Sequence, residues 1–355
     1  MPNWYVTRDS VKRAIRLNGN ENDEAVDRLI EAASRDVDNM VHRWFIPRTQ
    51  TMSFRWPGVS GAGDVLWLTD LDLISVTTLQ TKAQDSSPVT VAATDYFLEP
   101  VNFGPPYQKI EIDISSNAAF ESGDTSQRSI AIAGSWGFSN DTVTAGTVAS
   151  GLDSDATATE FVCSNGSATS GINVGDSLLV EDEQLFITEK AAAALASILL
   201  NGALTASKSE NLIVDGGTHG ISVGEVIRVD SEEMFVRGST ATTLTVERAY
   251  NGTTLAAHDN DTAVHIFRTL TATRGVNGTT GATHADDTAA SAYRAPGPIR
   301  ELTQALAIAA VTQEAGAWGR ALGQGDGATE MTNRDLGALV ERVSGQYLRA
   351  REYAI

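Results

Sequence analysis

The chain has 355 residues, 42% hydrophobic and 20% charged, with a net charge of −19. That length suits two or three domains with ample core, and no apolar run approaches the ~20 residues of a membrane span. The acidity argues against a protein that wraps DNA by neutralising phosphates, although an acidic wall lets DNA slide past without sticking.

The opening Met1-Pro2-Asn3-Trp4 lacks the basic-then-apolar pattern of a signal peptide, so cytoplasmic synthesis is expected. A first helix is predicted over Ser10–Leu17, capped by Thr7 or Asp9 and ended by Asn18-Gly19-Asn20. A second starts near Asn22-Asp23. Its apolar positions Val26, Leu29, Ile30, Ala33, Val37, Met40, Val41 and Trp44 make one stripe. Glu24–Arg28 and Glu31–Arg35 are spaced as i,i+4 pairs, and Pro47 closes the segment. Short strands are predicted at Thr51–Trp56, Val65–Leu68, Ile74–Gln80, Asp95–Glu99, Lys109–Ile114 and Ser129–Trp136. After Pro296-Gly297-Pro298 the chain reads as helix again, over Ile299–Leu322 and about Asn333–Arg351.

Between these ends the composition changes. All six tryptophans lie outside residues 139–294, four of the five histidines lie inside, and the span contributes −12 of the −19. Shifts at both ends predict an inserted domain. The expected division is 1–138, 139–294 and 295–355.

Self-comparison supplies a repeat. Gly171-Ile-Asn-Val-Gly-Asp176…Leu185-Phe-Ile187 matches Gly220-Ile-Ser-Val-Gly-Glu225…Met234-Phe-Val236 at an offset of 49. Its alternation predicts a hairpin, Asp176–Val180 and Leu185–Thr188 around an acidic turn. A second repeat has an offset of 26: Leu244…Arg248…Asn251-Gly-Thr-Thr254…His258…Asp261 matches Leu270…Arg274…Asn277-Gly-Thr-Thr280…His284…Asp287. Asn-Gly is a strong turn signal. Small β units of this kind bury their apolar faces only against one another, the host or a neighbouring subunit.

The residues that carry chemistry are sparse. His258 and His284 each have aspartates nearby (Asp259, Asp261; Asp286, Asp287), but packing in a repeated turn is expected over metal binding. Glu181–Glu183 and Glu232–Glu233, at hairpin turns, are expected to be solvated. The single cysteine, Cys163, excludes an internal disulfide and is expected as a small buried residue. No P-loop, His-Glu-x-x-His or Gly-x-Ser-x-Gly motif occurs. No enzyme, cofactor or metal site is expected, so the catalytic, cofactor and metal assignments are none.

The host segments nevertheless carry an ordered pattern. Tyr5-Val-Thr7…Leu17, Ala25…Leu29-Ile30…Trp44-Phe45, Leu68-Thr-Asp70-Leu71, Asp95-Tyr-Phe-Leu98 and Ile130…Gly134-Ser-Trp-Gly137 precede Pro296-Gly-Pro298 and an alanine-rich helix. Over residues 4–138 and 295–350 this order resembles the head–tail connector (adaptor) proteins of tailed bacteriophages, interrupted by a phage-type β-repeat insertion. The resemblance implies an α+β fold: a helical-bundle adaptor core with a small β-sheet, interrupted by a large all-β insertion. It implies a homo-oligomeric ring, commonly of about twelve subunits, in the virion neck. The partners implied are the portal protein, a tail or stopper protein, capsid through the insertion, and double-stranded DNA passing through the lumen. It also implies assembly in the host cytoplasm and no membrane. The portal-contacting residues implied are Tyr347, Leu348, Arg349, Arg351, Tyr353 and Ile355. Another virion role (tail, baseplate or capsid decoration) built on the β repeats is the alternative. A carbohydrate-acting module is weaker, because the insertion has no tryptophan and only Tyr250 and Tyr293 as tyrosines.

Overall fold

Thr7 begins the first helix, α1 (Arg8–Ile15): its side chain accepts from the Ser10 N–H, and Arg16 ends the helix in the left-handed region. The structure, a computed structural model, describes residues 3–59, 63–164, 172–208, 211–214, 219–319 and 333–349. Helix α2 (Asp23–Val41) buries Val26, Ile30, Ala33, Val37 and Val41 on one stripe and stops at His42 in the left-handed region. The i,i+4 pairs expected on its outer side are replaced by one tertiary pair and one local i,i+3 pair. Arg28 reaches Glu314 at 2.8 Å, and Arg35 reaches Asp38 at 2.8 Å.

Two small sheets follow. Strands β1 (Arg48–Phe54), β7 (Ile130–Trp136), β3 (Leu73–Thr81) and β4 (Val89–Val91) pair in that order; β2 (Val65–Trp67), β6 (Lys109–Ile112) and β5 (Tyr96–Glu99) make the second sheet. Leu66 and Ile110 from one sheet share a core with Leu79, Ile130, Ile132 and Trp136 from the other. Helices α3 (Gly297–Gly319) and α4 (Asn333–Tyr347) complete the base.

The expected helical-bundle core is not what this chain builds. Strand accounts for 35% of the residues and helix for 22%, so sheets make the framework. The physical reason lies in where the helical stripes go. Val11, Val26 and Ile30 pack with Trp4, Val174, Phe186 and Val276, which come from the N-terminus and the β-rich region. Val37, Val41 and Leu302 pack with Tyr293. Helices α2, α3 and α4 do pack on one another through Val37, Val41, Leu302 and Val343, but as a layer whose other side rests on β structure.

The β-rich region is a pair of barrels. Strands β8 (Thr142–Ser150), β9 (Glu160–Ser164), β10 (Ser177–Val180), β11 (Glu183–Leu199), β16 (Ala263–Thr273) and β17 (Ala289–Tyr293) pair in the order β11-β10-β17-β8-β9-β16, and β16 returns to β11. That ring closes around Val148, Phe161, Leu178, Leu185 and Leu270. The far halves of β11 and β16 continue into a second ring with β13 (Val226–Val229), β14 (Glu232–Ser239), β15 (Thr243–Glu247) and β12 (Leu212–Ile213). A bridge between Leu200 and Val214 closes it around Leu212, Ile227, Met234, Leu244 and Val264. Closure leaves neither barrel an open sheet edge.

The two rings have one topology. Hairpin β10–β11 corresponds to β13–β14 at the offset of 49, and the second half of β16 corresponds to β15 at the offset of 26. Both offsets therefore belong to one duplication. The second barrel sits between the fourth and fifth strands of the first, so the spacing changes on either side of it.

Candidate functional site

Each barrel buries a glutamate at the start of a strand, within a cluster of donors. In the first, Glu183 opens β11, one residue past the Glu181–Asp182 turn, and Glu181 there adopts φ 52°. Its carboxylate accepts from Arg274 Nε and Nη2, both at 2.6 Å, from the Gly275 and Ala282 N–H groups at 3.0 Å, and faces His284 Nε2 at 2.8 Å. In the second, Glu232 opens β14 after Asp230, whose φ is 51°. It accepts from Arg248 Nε and Nη2 at 2.8 Å, from the Ala249 N–H at 2.8 Å and the Ala256 N–H at 3.1 Å, and faces His258 Nε2 at 2.9 Å. The other ring nitrogens face Glu181 and Asp230, each at 2.7 Å. The same five groups thus meet the same carboxylate twice.

These are interior clusters. Glu183 is 1% exposed and Glu232 0%, and both histidines are buried. The expectation that the turn acids are solvated fails for Glu183 and Glu232. Alternation turns them inward, and Arg274 and Arg248, distant in sequence, follow them in. Glu181 and Asp230 do remain exposed. Burial alone would raise the Glu183 carboxyl, but the Arg274 guanidinium, the Ala282 N–H, His284 and the Gly275 N–H bring it down to about 2. Burial acts likewise on Glu232, and Arg248, His258 and the Ala256 and Ala249 N–H groups bring it to about 2.

The aspartates near each histidine in sequence are not its partners. Asp261 and Asp287 instead occupy equivalent left-handed turn positions, φ 64° and 66°. Among the described residues no group of three or more His, Cys, Asp or Glu side chains is arranged to hold a metal ion. Cys163 is buried, and burial pushes its thiol up to about 12.

The duplicated Asn-Gly turns dock the barrels on the base. Asn277 donates to Asn3 Oδ1 at 2.9 Å and to Gln184 Oε1 at 2.8 Å, and Gln184 donates to the Pro47 carbonyl at 3.1 Å. Gly278 lies so close that a Cβ there would stand 1.9 Å from the Thr49 carbonyl oxygen. In the second barrel, the Asn251 carbonyl accepts from the Gly19 N–H at 2.9 Å, and Tyr250 accepts from Arg13 at 3.1 Å. Helix α1 therefore meets both barrels, since its Arg8 N–H donates to the Val174 carbonyl at 3.1 Å.

The C-terminal residues divide. Tyr347 packs edge-on against Phe45 and Phe138, and its carbonyl accepts from Arg43 at 2.7 Å. Arg349 turns inward to Asp72, which also pairs with Arg43 at 2.7 Å. Leu348 is exposed. Arg351, Tyr353 and Ile355 lie outside the described residues. None of the helices among the described residues is long and apolar enough to cross a membrane.

Comparison with protein-family models, with curated proteins and with solved structures finds no match.

Proposed function

We propose that this chain is a structural, non-catalytic protein of a tailed-phage particle: a head–tail adaptor that forms a ring beneath the portal, surrounds the DNA channel and receives the tail or a stopper. The observation that carries the non-catalytic half is the paired clamp. A carboxylate serving as general acid or base needs a free lone pair and a pKa near the working pH, and one serving as nucleophile needs a free lone pair. Glu183 and Glu232 each have five polar contacts, from four residues, and a pKa of about 2, so they brace a frame. The order of helices and small sheets in the base supports the adaptor half, and the acidity supports a surface that duplex DNA passes without binding. Portal contact is assigned to Leu348, Arg351, Tyr353 and Ile355, because Tyr347 and Arg349 are engaged within the base.

A symmetry-resolved image of the particle neck tests this. The expected result is a ring of this chain directly under the portal. The duplicated barrels favour a second reading, a tail, baseplate or capsid-decoration protein. Copies spread over the capsid, in numbers far above one ring, would replace the first reading with the second.

A further inference from the structure

The two barrels share a frame and differ beside it. At the offsets of 49 and 26, Asp176 and Arg294 correspond to Glu225 and Arg268, and both are ion pairs, at 2.7 and 2.9 Å. The next positions do not match. Ser177 and Tyr293 of the first barrel stand where the second has Val226 and Phe267. The registers agree with this correspondence, since Leu178 pairs with Ala292 as Ile227 pairs with Ile266. Each hydroxyl is therefore replaced by an apolar side chain in the sister barrel, so the barrel fold itself needs neither.

Both hydroxyls lie on the outer face of the first barrel. Leu178, Ala290 and Ala292 point into its core, so Ser177 and Tyr293, next to them along β10 and β17, point out. Ser177 pairs with Phe186, and the β10–β17 register brings it level with Tyr293. Trp4 packs edge-on against Phe186, with ring centroids 5.2 Å apart. Trp4, Ser177 and Tyr293 line a cleft of about 250 Å³ together with Arg294, Arg300 and Gln304.

The uncommitted hydrogen-bonding groups of this cleft are donors. Trp4 is 8% exposed and Ser177 2%, yet the indole N–H and the serine hydroxyl have no partner. The Tyr293 hydroxyl makes no hydrogen bond among the described residues, and burial alone pushes its pKa up to about 12. Buried donors are nearly always satisfied, so three in one wall call for an acceptor. The carboxylates of the wall are already engaged. Asp9 pairs with Arg13 at 2.7 Å; Asp176 pairs with Arg294 and accepts from the Asn173 N–H at 2.9 Å. Arg300 has no ion pair among the described residues. Arg13, Arg294 and Arg300 thus face Asp9 and Asp176, which leaves a positive excess in a chain whose net charge is −19.

We propose that this cleft binds a small oxyanion, a phosphate or a carboxylate, held by the Trp4 indole N–H, the Ser177 and Tyr293 hydroxyls and the Arg300 guanidinium. Such an ion offers several acceptor oxygens around a negative charge, which suits donors converging from several sides. Trp4 belongs to the N-terminal segment, Ser177 and Tyr293 to the first barrel and Arg300 to α3, so the bound ion braces barrel to base. The site does not rest on the adaptor reading and holds for any role of the chain.

The experiment titrates the ¹⁵N-labelled full chain with inorganic phosphate and, separately, with acetate, each against sodium chloride at equal ionic strength. The Trp4 indole N–H signal, assigned by its loss in Trp4→Phe, reads the site. A saturable shift beyond that in chloride is expected, and the anion that produces it identifies the class. Ser177→Val combined with Tyr293→Phe installs the residues of the second barrel. It should leave the thermal transition of the anion-free protein in place and weaken binding at least tenfold, because a hydrogen bond to a charged group is worth about that factor or more. Arg300→Gln, at an exposed position, should weaken binding similarly without touching the core. A Trp4 signal that moves no further than in chloride overturns the proposal. So does an affinity that Arg300→Gln or the folded double variant leaves unchanged.

Discussion

Replacing Arg274 with methionine isolates the contribution of the clamp. The arginine side chain is 7% exposed and Glu183 1%, and their two contacts measure 2.6 Å each. Methionine keeps most of the volume, so little packing is lost. What changes is that Glu183 stays in the interior without its counter-charge. Removing one partner of a buried pair costs about 3–5 kcal/mol, against less than ~1 kcal/mol for an exposed one. Urea unfolding followed by circular dichroism measures the difference. Arg248→Met should cost a similar amount, because Glu232 meets the same set of groups. Adding Glu183→Leu and His284→Leu to Arg274→Met should return part of the loss, since no uncompensated charge then remains inside. The pH dependence has a fixed direction. Both glutamates have a folded pKa of about 2, below the ordinary 4.5. Their stabilisation is therefore complete above about pH 4.5 and is lost as the pH falls toward 2. Arg274→Met should flatten that acid limb. An Arg274→Met protein within about 0.5 kcal/mol of the parent, as an ordinary surface substitution would be, would refute the reasoning.

Three further perturbations address the architecture. Gly278→Ala puts a Cβ 1.9 Å from the Thr49 carbonyl oxygen at a φ of +82°; it should loosen the first barrel from the base and make the joint a site of limited proteolysis. Gly175→Ala puts a Cβ 2.3 Å from Trp4 Cε3 at a φ of +98°; displacement of the indole should appear as a red shift in tryptophan fluorescence. Excising the second barrel by joining Ala192 to Phe267, which are register partners, through an Asn-Gly turn should leave the first barrel folded. Methyl NMR of Leu178, Leu185 and Leu270 reports on this: dispersed signals are expected, and collapsed ones would mean that the barrels do not fold as separable units.

Much of the local structure was legible. Amphipathic spacing located α2, with Val26, Ile30, Val37 and Val41 inside as expected. Alternation located most strands of the base and the hairpin β10–β11. Other features were hidden because they depend on partners far away in sequence. Strand β4 is three residues long and carries little pattern. The alanines of Ala191–Leu200 show no alternation of apolar and polar residues, yet pairing with β16 makes them strand. The bundle expectation failed because a helical stripe states that a face is apolar, not what will cover it. The signal for the clamp was present in both offsets, since Glu183/Glu232, Arg274/Arg248 and His284/His258 each repeat. Comparing the repeats for conserved charge, as well as for turns, would have singled those residues out.

By itself the sequence determined the turns, the periodicities, the acidic middle and the fact of repetition, because these follow from side chains acting on their own stretch of backbone. Only the tertiary structure decided that two offsets are one barrel nested within another, and that Glu183 and Glu232 are buried while Glu181 and Asp230 beside them stay exposed. Both outcomes depend on pairing across long loops. There, closing the rings removes the sheet edges, and a buried carboxylate is stable only where its guanidinium is folded in beside it.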